Sequence, residues 1–537
     1  MHENTKFVIG IDVGTGSARA GIFDCQGSLL ASAKRPIQIF YEEGHIVEQS
    51  SNDIWSAVCA SIREAVEVSG IQPENIVGIG FDATCSLVVL GENGQPLAVG
   101  PSNDPERNII VWMDHRAMEQ AERINAGHHF VLRYVGGQIS PEMETPKLLW
   151  LKENRRHIFD QASSFFDLAD YLTWRATGDM TRSTCTLTCK WTYLAHEKRW
   201  DSDYFYKIGL GELVDEGFTR IGADVANPGQ ASGNGLTELA AKDMGLIKGT
   251  AVAIGMIDAH AGGIGSVGVG AGATHNMAYV FGTSSCTMTS TIEPVFVAGV
   301  WGPYFSAMVP NLWLNEGGQS AAGAAIDQLL SWHPFSPQAS LTAKQQNLSL
   351  PVFLANKAIE KAGSASKAVL LAKGYHIVPE FLGNRAPFAN PHTRAVIAGL
   401  GMEADLDSLI ALYVAGLCGI AYGLRQIIDA QAQSGVDVEN IVISGGAGQH
   451  ELVRQILADA CNRKVIATNA EEPVLLGSAI LAAVASGLAA TVEDAMHAMS
   501  SVGGEYQPYS SEITQLHDKR YDAFKQLQTI ARNLNGI

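Results

Sequence analysis

The sequence predicts an α/β protein made of two halves built to one plan. Strand-like apolar runs alternate with amphipathic helical segments, one such unit recurs in the second half, and a glycine-dense stretch, Gly255 to Gly272, separates the two.

The first unit opens on Phe7-Val8-Ile9-Gly10-Ile11, passes through Asp12-Val13-Gly14-Thr15-Gly16-Ser17 and resumes as Ala20-Gly21-Ile22-Phe23, which reads as two strands joined by a Gly-rich turn. Ser51 or Asn52 is the expected cap of a helix whose apolar positions Ile54, Val58, Ile62 and Ala65 recur at spacings of three and four until Gly70 stops it. A strand, Ile76 to Phe81, follows.

The recurrence is explicit. Ser69-Gly70-Ile71-Gln72-Pro73-Glu74-Asn75-Ile76-Val77 and Ser434-Gly435-Val436-Asp437-Val438-Glu439-Asn440-Ile441-Val442 share Ser-Gly, a spacer and Glu-Asn-Ile-Val, each between a helical segment and a strand. A duplicated domain accounts for both. The boundary is placed near Gly263, giving halves 1–263 and 264–537 with an insertion at about 333–372 on the second.

With 46% hydrophobic and 17% charged residues over 537 positions, the chain can bury large cores. A formal net charge of −18 opposes general attraction to nucleic acid or to an anionic membrane, so bound phosphates need a local cradle. The eight cysteines are scattered, with no signal peptide ahead of them, and reduced thiols in a cytoplasmic protein are expected. The longest uncharged stretches, Ala411 to Leu424 and Leu475 to Val492, are short or rich in small residues and read as buried helices rather than membrane spans.

Two segments suit phosphate. In Asp12-Val13-Gly14-Thr15-Gly16-Ser17, glycines open the backbone N–H groups to phosphate oxygens, hydroxyls add hydrogen bonds and the acid can hold Mg²⁺; an ordinary hairpin turn is the alternative. Phe281-Gly282-Thr283-Ser284-Ser285 follows an apolar run at the matching place of the second half. Two Gly-Thr turns facing one cleft could grip a single triphosphate, which favours nucleotide binding.

Other signals lead elsewhere. Gly263-Ile264-Gly265-Ser266-Val267-Gly268 matches the dinucleotide fingerprint of an oxidoreductase, but glycines continue through Gly272 and the first later acid is Glu293, too far to serve the ribose. The dipeptide Gly-Lys never occurs, which excludes a Walker A loop. Cys185 and Cys189 would share a helix face, yet no second pair at zinc spacing accompanies them.

Together, Asp12-Val13-Gly14-Thr15-Gly16-Ser17, Gln49-Ser50-Ser51-Asn52-Asp53-Ile54-Trp55, Gly282-Thr283-Ser284 and Ser444-Gly445-Gly446-Ala447 with Gln449 resemble the FGGY sugar kinases of the actin-like ATPase superfamily. The resemblance continues through Thr145-Pro146-Lys147-Leu148-Leu149-Trp150-Leu151, Gly383-Asn384-Arg385-Ala386-Pro387 and Gly477-Ser478-Ala479-Ile480-Leu481-Ala482. It implies two actin-like, ribonuclease H-like domains with duplicated mixed sheets flanked by helices, closing on ATP, Mg²⁺ and a sugar in the cleft between them. Many members carry Glu where Asn384 stands, so that side chain is given no role.

The resemblance also implies roles. Asp258, in Ile257-Asp258-Ala259-His260-Ala261-Gly262, resembles the base that takes the proton of the attacking sugar hydroxyl; capping a helix N-terminus is the alternative, and both can hold at once. Mg²⁺ falls to Asp12 and Asp258, directly or through water. ATP falls to Asp12, Thr15, Gly16, Ser17, Gly282, Thr283, Gly318, Gln319, Gly445, Gly446, Ala447 and Gln449. The sugar falls to Asp82, Thr84, Cys85, Trp112, Asp114, Arg116 and Asp258, where a Trp beside Asp, His and Arg has the residue types polyols need.

Thr84-Cys85-Ser86-Leu87-Val88 resembles the D-ribulokinase branch, where xylulokinases have Gly-Gln-Met-His and glycerol kinases Asn-Gln-Arg-Glu. D-ribulose is therefore the expected acceptor, with L-ribulose and D-xylulose as alternatives. Outside the class, the alternative is a silent actin-fold protein that binds ATP or sugar without turnover, against which the retention of Asp12 and Asp258 argues. The implied partners are a pentulose and ATP, with neither nucleic acid nor membrane; a homodimer is compatible with the resemblance. The halves are expected to rotate together when ligands bind.

Overall fold

The computed structural model describes residues 5–270, 272–372 and 374–534, and each half carries a sheet of the same strand order. In the first, Phe7–Val13, Ser17–Phe23 and Leu29–Pro36 form an antiparallel meander, and Ile76–Ala83 then Ala251–Val252 add parallel to the free side of Phe7–Val13. In the second, Asn276–Phe281, Ser285–Thr291 and Trp313–Gln319 form the meander, and Asn440–Ser444 and Lys464–Thr468 the parallel pair. Trp301–Phe305 and Val502–Tyr506 extend the two edges of that second sheet.

This shared order explains the repeated sequence. The helix Ser51–Ser69 stops at Gly70, φ 67°, and the helix Leu406–Gln433 runs out before Gly435, φ 94°. Both glycines hold the left-handed backbone that a Cβ would strain, and each is followed by a central parallel strand. Ser-Gly thus ends a helix, and Glu-Asn-Ile-Val enters a strand. The cap of the first helix is Ser50, not Ser51 or Asn52: Ser50 is the last extended residue, and its side chain accepts the Asp53 amide at 3.2 Å. The strand after it runs on to Ala83 because it pairs with Phe7–Val13 along that whole length.

Among the described residues, Leu406–Gln433 is the one helix long and apolar enough to cross a membrane, and most of it is buried in the second half's core. Residues 333–372 form the helices Ser336–Gln345 and Leu350–Ala362 and the turn of 3-10 helix Ser366–Ala372, the latter two packed on that long helix.

Between the sheets, two helices cross over. Asp258–Val267, from the end of the first half, packs on Asn276–Phe281 and Asn440–Ser444 of the second sheet. Pro473–Ala485, from the second half, lies on Phe7–Val13 and Ile76–Ala83 of the first sheet. Glycine makes the approach possible. Gly10 and Gly80 are partners on adjacent strands, and a Cβ on either would overlap a carbonyl oxygen of the helix above, that of Leu475 or Ser478. Where the two helices meet, a Cβ on Gly265 would overlap the Pro473 carbonyl, and one on Gly477 the Ala261 carbonyl. Gly263 to Val267 are thus turns of a helix, and the apparent dinucleotide fingerprint serves close helix packing.

A smaller antiparallel sheet completes the first half, in the order Phe40–Glu42, Ile46–Gln49, Ile109–Ile110, Leu87–Leu90, Ser164–Asp167. Its junction with the main sheet positions the site.

Candidate active site

Each meander begins with a hairpin, and each hairpin turn is one of the two Gly-Thr segments. In the first, the Gly14 amide donates to the Ser17 carbonyl at 3.1 Å, and a Cβ on Gly16 would meet nothing within 4 Å, so the backbone is open to a ligand. Two side chains hold the turn from outside: Gln49 Nε2 donates to the Thr15 carbonyl at 2.8 Å and Trp112 Nε1 to Thr15 Oγ1 at 3.0 Å. In the second, Thr283 is exposed, and the Ala322 and Ala324 amides donate to its carbonyl at 2.9 and 3.1 Å, placing the start of helix Gly323–Ser331 against the turn.

Beside the first turn lies a cavity of about 260 Å³ lined from both halves. The first main strand ends at Ala83, and the chain crosses through Thr84, Cys85 and Ser86 into Leu87–Leu90 of the smaller sheet, which puts Thr84 and Cys85 in the wall. Trp112 follows Ile109–Ile110 and is held by its own amide donating to Ser86 Oγ at 3.1 Å. Asp258, first residue of the crossing helix, also lines it. Asp258 Oδ1 accepts the Ala259 amide at 2.7 Å, so the carboxylate both begins a helix and faces the cavity.

The cavity has charges that sequence reasoning did not select. Lys190 closes the short helix Thr184–Lys190, Glu142 is paired with His115 at 3.1 Å, Glu316 sits on Trp313–Gln319, and Arg385 lies near the Trp301 ring, 5.7 Å from its centroid. Among the described residues, the Lys190 ammonium and Arg385 guanidinium make no ion pair or hydrogen bond; each is placed over Trp301. Groups of this kind converging on an aromatic wall suit a polyhydroxylated ligand.

Burial pushes the Asp258 carboxyl up and the Asp12 charge adds to it; the Ala259 amide, His260 and Lys190 pull the other way, and it settles at about 6. Burial alone would also raise Glu316, but His260 foremost, then Lys190 and Arg385, outweigh it and hold that carboxylate down to about 2. Cys85 and Cys286 are pushed up to about 12 by burial, so both thiols face the cavity neutral.

Asp12 lies beneath the first turn, nearly buried, its Oδ2 paired with Arg19, which also reaches Glu472 of the second half at 2.7 Å. Neighbouring Asp82 is fully buried and takes the Ser478 hydroxyl at 2.5 Å on Oδ2. Burial first and the Asp12 charge second push its carboxyl well above the ordinary range. Among the described residues no group of three or more His, Cys, Asp or Glu side chains could hold a metal alone. Asp12 and Asp258 nonetheless fit Mg²⁺, which is held by one or two carboxylates together with substrate phosphates and water.

Several residues named from the sequence do not line this cavity. Asp82 sits opposite Asp12 in the register of adjacent strands. Asp114 and Arg116 belong to a buried ion network: Arg116 pairs with Asp114 and Glu48, and Asp114 Oδ2 accepts the Val47 amide at 2.7 Å. Ser17 is the first residue of its strand. Gln319 is used internally, bonded to Tyr279, Ser285 and the Ile420 carbonyl, and a Cβ on Gly318 would overlap the Ser285 carbonyl. Asn384 bonds Glu380 at 2.6 Å and the Phe388 amide at 3.0 Å.

A second cavity, about 310 Å³, lies in the second half behind Gly282. Gly446, Ala447 and Gln449 line it, and Gly445, φ 92°, packs under the Phe281 carbonyl to shape the turn. Asp327, Tyr413 and His450, together with Ser349, Pro351 and Val352 at the start of helix Leu350–Ala362, supply walls that no motif marked.

Two sheets of one topology thus flank a cavity that carries the first glycine turn and the buried Asp258 carboxyl. Residues 7–265 match the N-terminal domain of the FGGY family of carbohydrate kinases and residues 277–486 its C-terminal domain, and the chain belongs to that family. It is an ATP-dependent sugar kinase. It is 44% identical to an FGGY carbohydrate kinase domain-containing protein of Homo sapiens, over 97% of this chain and 96% of that one. It is 37% identical to a D-ribulokinase of Saccharomyces cerevisiae, over 99% of this chain and 78% of that one. Its fold is that of a xylulose kinase from Rhodospirillum rubrum, TM-score 0.80 at 20% identity, covering 99% and 100% of the two chains.

Proposed function

We propose that the chain phosphorylates D-ribulose to D-ribulose 5-phosphate, with ATP as donor and Asp258 as general base. The observation that carries the acceptor is the segment Thr84-Cys85-Ser86-Leu87-Val88, whose first two residues line the smaller cavity opposite Lys190 and Glu316. The 37% identity to a D-ribulokinase supports it.

In this reading the sugar lies between Trp112 and Trp301, with hydroxyls donating to Glu316 and Glu142 and accepting from Lys190 and Arg385. Asp258 accepts the proton of the terminal hydroxyl as its oxygen bonds to the γ-phosphorus and the bond to ADP breaks. Phosphoryl transfer through a loose transition state depends chiefly on alignment, so the two Gly-Thr turns hold the phosphates in line while Asp258 takes its proton late. Asp12 and Asp258 would hold Mg²⁺, directly or through water, and its charge would neutralise the phosphates. The Trp112 to Thr15 hydrogen bond makes the sugar wall and the phosphate turn one rigid piece.

Adenine lies in the second cavity against Gly446 and Ala447. Ala447→Leu should fill it and raise the KM for ATP at least about tenfold while the sugar KM stays within about twofold, read from steady-state kinetics.

The acceptor is tested with purified protein and Mg-ATP on D-ribulose, L-ribulose, D-xylulose, ribitol and glycerol, following ADP release. D-ribulose should show the highest kcat/KM by at least about tenfold. A better value for L-ribulose or D-xylulose moves the assignment to that sugar, and product from none of the sugars overturns it.

A further inference from the structure

We infer that His260 is a positioning residue that sets the geometry of the sugar site by tying together the three elements that carry its principal charged groups. This rests on the sugar-site reading above.

His260 is 1% exposed and lies on the crossing helix two residues after Asp258. Its Nδ1 meets Cys185 Sγ at 3.1 Å and its Nε2 meets Glu316 Oε1 at 3.0 Å. Cys185 begins the first turn of the helix that ends in Lys190, and its sulfur also takes the Ile257 amide at 3.4 Å. Glu316 belongs to the second sheet. One ring therefore joins the element bearing Lys190, the element bearing Asp258 and the strand bearing Glu316, and all three side chains face one cavity.

The arrangement leaves Glu316 half used. Oε1 is engaged by His260, Oε2 has no partner among the described residues, and the side chain is 17% exposed toward the cavity. A carboxylate fixed through one oxygen presents the other at a defined place, which matters for a ligand whose hydroxyls differ only in stereochemistry. A carboxylate freed from His260 would rotate or turn to Lys190 or Arg385, the unpaired cations nearby, and the sugar would have to compete with them. Imidazole suits the task because its two nitrogens bond in divergent directions from one rigid ring.

The test separates the two bonds. His260→Asn can reproduce the Nδ1 contact but not reach Glu316, whereas His260→Gln can reach Glu316 and loses Cys185. Kinetics are run on whichever pentulose the wild type turns over fastest, so an error in the acceptor assignment is seen in the wild type alone. His260→Asn should raise the sugar KM at least about tenfold with the ATP KM within about twofold, and His260→Gln, which keeps the Glu316 bond but loses the Cys185 support, should show a smaller rise. Unchanged sugar KM in both variants, or equal losses for sugar and ATP in both, overturns the inference. If neither folds, Cys185→Ala, which removes the ring's other support, decides: a raised sugar KM restored by Cys185→Ser upholds the role, and an unchanged one overturns it.

Discussion

The Asp258→Asn enzyme should bind a nonhydrolysable ATP analogue as the wild type does and turn over sugar at least about a thousandfold more slowly. The amide keeps the shape and can still accept the Ala259 amide that seats Asp258 at the start of its helix. What it loses is the capacity to take a proton. The wild type should carry the matching signature in pH. Burial and the Asp12 charge raise the Asp258 carboxyl to about 6, and the base works only when ionised. Turnover should therefore be full above about pH 7 and fall as pH drops through about 6, about tenfold per unit below it. Calorimetric titration with the analogue checks binding, and a kcat profile between pH 5 and pH 8 checks the limb; a variant within tenfold of wild type would remove Asp258 from the chemistry.

The second large effect concerns stability. Gly10→Ala should lower the melting temperature by several degrees, because its Cβ would overlap the Leu475 carbonyl and force the helix Pro473–Ala485 off the first sheet. Overpacking against side chains typically costs about 1–3 kcal/mol, and backbone that cannot choose another rotamer puts this change at the top of that range. Gly477→Ala, on the opposite side of the same helix, should act alike through the Ala261 carbonyl. Gly504→Ala is the control, since its Cβ would meet only the Tyr506 ring at ordinary contact distance, 3.5 Å. Differential scanning calorimetry on the three variants reads the difference, and equal melting temperatures for Gly10→Ala and wild type would mean that the helix is not seated as described.

The plan of the fold was legible because its signals are local. A glycine that stops a helix and an apolar run that enters a strand sit next to each other in sequence, and here they do so twice, at Gly70 and Gly435. The crossing of the two interior helices was not legible, since Gly10, Gly80, Gly265 and Gly477 meet only after folding. At the site, the difficulty was choosing within a motif. Arg385 lies in a segment that carries the family resemblance, Gly383-Asn384-Arg385-Ala386-Pro387, and Glu316 stands two residues before Gly318, one of the residues the resemblance assigns to ATP. Asp114 and Arg116 show why composition does not decide a role: a polar cluster beside a tryptophan reads the same whether it meets a sugar or, as these two do, pairs within itself and with Glu48. Lys190 had no sequence signal, because it reaches the cavity only through the register of a seven-residue helix.

The crossed helices bear on how the chain is made. As the first half leaves the ribosome, the face of its sheet floored by Gly10 and Gly80 has no cover until residues 473–485 are synthesised, after most of the second half. That apolar face is exposed during synthesis, a period in which nascent chains are prone to aggregate and to engage chaperones. The first half on its own is an unfinished layer, and its final closure belongs among the last events of folding.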